Sequence, residues 1–182
     1  MHQIRREDYS SDEELLESLI DLYAEGIKKL LFTYVKEWSI AEDLTQETYI
    51  SCYKMLKDFR GDSSLKTWLY KIAINKCKDY MRTKWFQYRT PFEFLHERTA
   101  GEDISVEEKM LGKENDLFLA RNVLSLPQIY REVIVLHYYE DLKIGEIEEL
   151  TGYKQDTIKT RLRRAKNQLR IKMGGDEEWK RN

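Results

Sequence analysis

Two stretches of this chain concentrate side chains able to bind phosphates and read bases. Between residues 153 and 173 stand Lys154, Lys159, Arg161, Arg163, Arg164, Lys166, Arg170 and Lys172, opposed only by Asp156. Between 54 and 89 stand Lys54, Lys57, Arg60, Lys66, Lys71, Lys76, Lys78, Arg82, Lys84 and Arg89 against Asp58, Asp62 and Asp79. Ammonium and guanidinium groups neutralise phosphates whatever the sequence, while hydroxyls, amides and bidentate arginines read base edges. Bond-breaking chemistry has no comparable signature. His2, His96 and His137 lie far apart and no carboxylate pair accompanies them. No Walker-type glycine loop is present. Asp43 and Glu47 could ligate magnesium, but an acid pair on one helix face is ordinarily solvated. We assign no catalytic residue and expect a binding protein rather than an enzyme.

The total charge conceals these blocks. The chain has 182 residues, with 31 Lys and Arg against 33 Asp and Glu, for a formal charge of −2. Residues 1–25 and 93–116 are acidic, so two basic islands are separated by an acidic stretch. One such island is ordinarily a solvated helix face; two, one of them interleaved with aromatics, favour phosphate binding. Two cysteines, Cys52 and Cys77, form no CxxC pair and stand in no histidine cluster, which argues against structural zinc and fits a reducing, cytoplasmic setting. No cofactor is expected. No segment approaches the roughly 20 apolar residues that span a bilayer, so direct membrane insertion is not expected.

The elements that must position these side chains are helices. Leu15, Leu16, Leu19, Ile20, Tyr23, Ile27, Leu30, Leu31, Tyr34 and Val35 recur at three- and four-residue steps and predict a helix over 12–36. Similar spacing predicts helices over 40–58, 65–86, 115–124, 128–139, 143–150 and 155–172. In the third predicted helix, Trp68 and Tyr80 fall in the core register. Capping-box starts are expected at Ser11 with Glu14, Ser39 with Glu42, Ser105 with Glu108, and Ser125 with Gln128, with Pro127 suited to a first turn. No period-two alternation predicts a strand. The fold class is all-α: two small helical domains joined by a flexible acidic linker, with no internal repeat. That linker, from about Gln87 to Glu114, would reach about 90 Å at roughly 3.4 Å per residue.

Residues 144–163, IGEIEELTGYKQDTIKTRLR, read as a helix-turn-helix: a short helix, a glycine at the turn, then a longer basic helix. Ile147, Leu150, Ile158 and Leu162 would hold the two helices together, and Gly152 would take a positive φ. The second helix carries Thr157, Lys159, Thr160, Arg161, Arg163 and Arg164. Residues 159, 160, 163 and 164 share one face, whereas Arg161 is rotated away, toward a phosphate or an internal acid.

Residues 43–82, DLTQETYISCYKMLKDFRGDSSLKTWLYKIAINKCKDYMR, resemble region 2 of the sigma-70 family of bacterial transcription initiation factors. Residues 126–170, LPQIYREVIVLHYYEDLKIGEIEELTGYKQDTIKTRLRRAKNQLR, resemble region 4. Their order and separation, with no room for regions 1.1 or 3, resemble the extracytoplasmic function subfamily. The resemblance implies a region 2 domain over 1–87, a linker over 88–114, a region 4 domain over 115–173 and a tail over 174–182. It implies core polymerase binding, at the β′ clamp helices, through Asp43, Gln46 and Glu47, whose acid and amide groups suit arginines. It implies capture of a flipped minus-10 base by Arg60, Gly61, Asp62, Ser63 and Ser64, with Asn75 facing the pocket and Lys76, Lys78 and Arg82 along the strand. It implies minus-35 recognition by Thr157, Lys159, Thr160, Arg161, Arg163 and Arg164. The implied partners are core polymerase, including its β flap, duplex and single-stranded promoter DNA, and an anti-sigma factor that could hold the protein at a membrane; no small-molecule substrate is implied.

The chain departs from that pattern at two positions. Glu148 stands where most such motifs have a small residue, and its carboxylate must be paired or tilted outward. Lys154 replaces the usual serine cap of the second helix, although Asp156 still favours the helix dipole. The rival reading is a helix-turn-helix regulator acting without polymerase, which would need a dimer and a palindromic operator.

Overall fold

The computed structural model describes residues 4–87 and 114–174. They fall into two compact units, one on each side of the interval between. The linker expectation, the Ser105–Glu108 start and the tail from 175 onward lie outside the described residues. Every regular element among the described residues is helical, as the periodicity requires, and none of these helices is long and apolar enough to cross a membrane.

The first unit is a three-helix assembly: α1 (Asp12–Val35), α2 (Trp38–Met55) and α3 (Leu65–Gln87). A single 3-10 turn, Arg6–Asp8, precedes it, and Arg6 pairs with Asp12 at the start of α1. Ser11 caps α1 as expected, its hydroxyl accepting from the Glu14 N–H at 3.2 Å. The Glu14 carboxylate reaches one residue further back than a capping box requires and accepts from the Ser10 N–H at 2.9 Å. Helix α1 stops at Lys36, which takes a left-handed φ of 57°. The core is built from Leu15, Leu19, Ile27, Leu30 and Leu31 of α1, Ala41, Leu44 and Cys52 of α2, and Leu65, Leu69, Tyr70, Ala73, Ile74 and Cys77 of α3. Each large apolar side chain so buried contributes about 1.5–3 kcal/mol before chain entropy is counted. The Tyr49 hydroxyl ties α2 to α1 by donating to the Leu19 carbonyl at 3.2 Å.

Ser39 is not a cap. Helix α2 begins earlier, at Trp38, with Glu37 extended before it, and the Ser39 hydroxyl donates to the Glu37 carboxylate at 2.9 Å. The cause is Trp38, whose ring stacks on Phe32 with centroids 4.1 Å apart and draws the new helix tight against the end of α1. Helix α2 also ends earlier than predicted, passing into a 3-10 turn at Leu56–Asp58.

The second unit contains α4 (Glu114–Leu124), α5 (Gln128–Ile134), α6 (Ile144–Thr151) and α7 (Gln155–Lys172). Ser125 does not cap α5. Its hydroxyl donates to the Asn122 carbonyl and closes the end of α4, while Pro127, extended and without an N–H, occupies the cap position. Arg131 is 3% exposed and donates to the carbonyls of Leu124 at 2.7 Å and Leu126 at 3.0 Å, so orphan acceptors after α4 are satisfied from inside the core. The helix predicted over 128–139 widens after Ile134 into a π turn, Val135–Tyr139, where the Glu140 N–H bonds back to Val135. A left-handed Asp141 and the bond from the Leu142 N–H to the Leu136 carbonyl then turn the chain toward α6.

Candidate nucleic-acid interface

Helix α2 turns Leu44, Thr45, Thr48 and Tyr49 inward, which leaves Asp43, Gln46 and Glu47 exposed together on its opposite side. Ile50 and Tyr53, 55% and 43% exposed, extend this polar face by one and two turns. Both count toward the apolar spacing that predicts the helix over 40–58, yet they stand outside the core; the sequence signal for this is that Ile50 follows Gln46 by four residues and Glu47 by three. Tyr53 is held in place by donating to the Glu13 carboxylate at 2.6 Å, which lowers the acid's pKa and raises the phenol's.

The turn between α2 and α3 is shaped before any ligand arrives. Gly61 takes φ +78°, a conformation that side chains rarely adopt. Arg60 and Asp62 on either side of it pair at 2.9 Å and remain largely in solvent. Ser64 is committed to the backbone: its hydroxyl accepts from the Thr67 N–H at 3.0 Å and lies 2.8 Å from the Thr67 hydroxyl, while its carbonyl accepts from Trp68 at 2.9 Å. Ser64 therefore caps α3, and Ser63 beside it is half-buried. Trp68 is not a core residue as its register suggested. It is half-buried and lies against Phe59, 5.1 Å between centroids, so that one aromatic pair spans the turn and fixes its width.

Along α3, Asn75, Lys78 and Arg82 are exposed. Arg82 pairs with Asp79 within its own helix at 3.0 Å. Lys76 is half-buried, and its ammonium lies 3.7 Å from the Glu47 carboxylate of α2, so the two expected binding faces of this unit meet at one ion pair. Trp85 and Phe86 lie in the last turn of α3.

In the second unit the helix-turn-helix forms as its spacing required. Ile147, Leu150, Ile158 and Leu162 are buried, with Ala165, and Gly152 takes φ +77° between the two helices. Thr157, Lys159, Arg163 and Arg164 are exposed, and Thr160 is half-buried beside them. Lys159 is 3.8 Å from Asp156 in a solvent-exposed pair. Arg161 is separated from this face, as its rotation predicted, but neither an acid nor open solvent receives it: the guanidinium carbon lies 3.8 Å from the centroid of Tyr153. Glu148 is tilted outward and accepts from the Gln155 amide at 2.7 Å, which resolves the cost of a carboxylate near the crossing. Lys154 caps α7 without any side-chain hydrogen bond.

Residues 19–87 match the Sigma-70 region 2 family and residues 119–169 match Sigma-70, region 4. The chain belongs to the sigma-70 family. Its similarity lies with the extracytoplasmic function branch. The chain is 29% identical over 166 residues to the ECF RNA polymerase sigma factor SigW of Bacillus subtilis, covering 87% of this chain and 89% of that one. It is 32% identical over 162 residues to the RNA polymerase sigma factor SigV of the same organism, covering 87% and 91%. It is 30% identical over 168 residues to the ECF RNA polymerase sigma-E factor of Escherichia coli, covering 87% and 86%. Among solved structures, the sigma factor RpoE in complex with the anti-sigma factor NepR from Bartonella quintana shares its fold, at TM-score 0.67 and 20% identity over 88% of this chain and 98% of that one. CnrH in complex with the cytosolic domain of CnrY does so at TM-score 0.62 and 20% identity over 92% and 93%.

Proposed function

We propose that this ECF-type sigma factor binds bacterial core polymerase, recognises minus-35 and minus-10 promoter elements and starts transcription of a stress or envelope-response regulon. The observation that supports it most is the pairing of two distinct faces on two separate units: an acid–amide face and a preshaped turn on the first, a basic helix-turn-helix on the second. In this reading residues 1–87 hold polymerase and melt DNA, 88–114 connect, 115–173 grip upstream duplex, and 174–182 form a tail.

Asp43, Gln46 and Glu47 meet arginines of the β′ clamp helices, with Ile50 and Tyr53 adding apolar area beside them. Opening DNA costs about 1.4 kcal/mol per base-pair step, which a protein without nucleotide hydrolysis must offset by binding. Arg60, Gly61, Asp62 and Ser63 line the base-capturing turn, Ser64 holds that turn to α3, and Asn75 reads the base. Lys76, Lys78 and Arg82 hold phosphates of the separated strand. Thr157, Lys159, Thr160, Arg163 and Arg164 enter the major groove of the upstream element. The chain supplies binding free energy rather than covalent chemistry. Its anti-sigma partner, of the kind seen with the two solved relatives, would hold it in the cytoplasm or at a membrane until released.

Run-off transcription with bacterial core polymerase on a randomised promoter library tests this reading. New, sequence-specific starts that depend on the protein are the expected result. Duplex binding that needs no core enzyme, with no new starts, would overturn it in favour of a polymerase-independent regulator.

A further inference from the structure

We propose that Tyr153 and Arg161 form a positioning pair that sets the angle of the recognition helix α7, and that Arg161 acts through this pair rather than by touching DNA. The inference rests on the reading of α7 as the helix that enters duplex DNA. It begins from a deficiency: Lys154 is the N-cap of α7, and its side chain supplies no acceptor for the free N–H groups of the first turn. A helix that must dock its first two turns against base edges needs that end held by other means.

Two ties hold it. The Gln155 amide, at the first helical position, donates to Glu148 of α6 at 2.7 Å. The second runs from the turn itself. Gly152 reverses the chain at φ +77°, and the N–H of Tyr153 donates at 3.2 Å to the Thr151 hydroxyl, which in turn donates to the Ile147 carbonyl at 2.6 Å. Tyr153 is thus anchored to α6 through its backbone, and its ring then receives the Arg161 guanidinium at 3.8 Å. The stack joins the residue just before the cap to the second turn of α7, in the manner of a hydrophobic staple but longer in reach.

The geometry separates Arg161 from its neighbours. It lies half-buried at the border of the buried stripe formed by Ile158, Leu162 and Ala165, whereas Arg163 and Arg164 are exposed. Its Nη1 is buried, with no hydrogen bond among the described residues. A guanidinium laid over a ring face keeps much of its electrostatic stabilisation there, and drawing it out to a phosphate would forfeit the contact. Arginine stacks in this way far better than lysine because its planar, weakly hydrated group matches the ring.

The pair itself is read first by NMR on the full chain without DNA. The Tyr153 ring current should shift the Arg161 side-chain protons upfield, and Tyr153→Leu, which keeps apolar bulk in the turn, should abolish that shift while Tyr153→Phe retains it. Duplex binding is read next, on a minus-35 duplex selected with the wild-type protein and core polymerase, and on the same duplex with that element scrambled. Tyr153→Leu and Arg161→Ala should each lower the ratio of selected to scrambled affinity by about tenfold. The double variant should lose no more than either single one, and the salt dependence should keep its wild-type slope. Tyr153→Phe should bind as the wild type.

Arg161→Ala shallowing the salt slope by about one, with Tyr153→Leu binding normally, would make Arg161 a phosphate contact and overturn the proposal. An unshifted Arg161 resonance in the wild type would overturn it without reference to DNA. Failure to select any duplex would count against the proposed function, and the Arg161 resonance would still decide whether the pair exists.

Discussion

Replacing Ser64 with alanine separates two roles for one hydroxyl. The turn before α3 places Ser64 among candidate base contacts, yet its oxygen already accepts from the Thr67 N–H at 3.0 Å and pairs with the Thr67 hydroxyl at 2.8 Å. Loss of a serine N-cap costs about 1 kcal/mol, within a range of roughly 0.5–2 kcal/mol. The Thr67 side chain is only 1% exposed, so the hydroxyl contact is lost in a packed setting and the cost stays within that range. For a domain the size of the first unit, each kcal/mol shifts the melting midpoint by about 4–8 °C. Thermal unfolding of the full chain by circular dichroism should show the first unit's transition lowered by about that much in Ser64→Ala. Ser64→Thr and Ser64→Asp, which keep an acceptor, should lie close to wild type. A wild-type melting midpoint for Ser64→Ala, combined with lost minus-10 base preference, would refute the capping argument and return Ser64 to the base pocket.

Tyr53→Phe removes the hydrogen bond that, more than any other cause, depresses the Glu13 pKa, so carboxyl NMR titration should show Glu13 moving up toward its ordinary value of 4.5. Because the folded-state pKa is lowered, the contribution of this acid to stability is present above its unfolded value and lost as pH falls through the folded one; acid unfolding of the variant should lack that increment. Burial pushes the Cys52 thiol up to about 12, so thiol-reactive dyes at neutral pH should label it only after denaturation. Arg164→Glu should weaken upstream duplex binding severalfold or more and leave core polymerase affinity unchanged, as measured by fluorescence anisotropy with each partner. Asn75→Ala should flatten discrimination at the flipped base in single-stranded minus-10 binding while the salt slope stays constant; an unchanged base preference would remove Asn75 from the pocket.

Local sequence rules carried the helices and the helix-turn-helix turn: Ser11 caps α1, Gly152 takes a positive φ, and Ile147, Leu150, Ile158 and Leu162 meet in the second unit. They failed where side-chain contacts between one element and the next decide. Ser39 matches a capping box, but the Trp38–Phe32 stack starts α2 before that serine can act. Ser125 matches another, but Arg131 reaches back to the carbonyls of Leu124 and Leu126 and makes Ser125 part of the preceding helix end. Trp68 lay in the core register, yet the chain returns at Phe59 and takes the indole to the surface of the turn. The candidate faces were legible as residue types, and helical register already set Arg161 apart; that the Ser64 hydroxyl is committed to the backbone, and that Tyr153 receives Arg161, required the packed neighbours.

In the proposed function Glu47 and Lys76 belong to surfaces with different partners, yet their charged groups pair across 3.7 Å. No allele at either position is therefore a single-partner lesion. Neutralising Glu47 strips one acid from the polymerase side and leaves the Lys76 charge uncompensated toward the strand. Neutralising Lys76 does the reverse. A solvent-accessible surface pair of this kind, with Lys76 half-buried, contributes about 0–1 kcal/mol, so the cross-effects stay within about fivefold. Substitutions at 47 and 76 should accordingly show epistasis with each other, and genetic separation of polymerase docking from strand capture is better sought at Asp43 and Asn75.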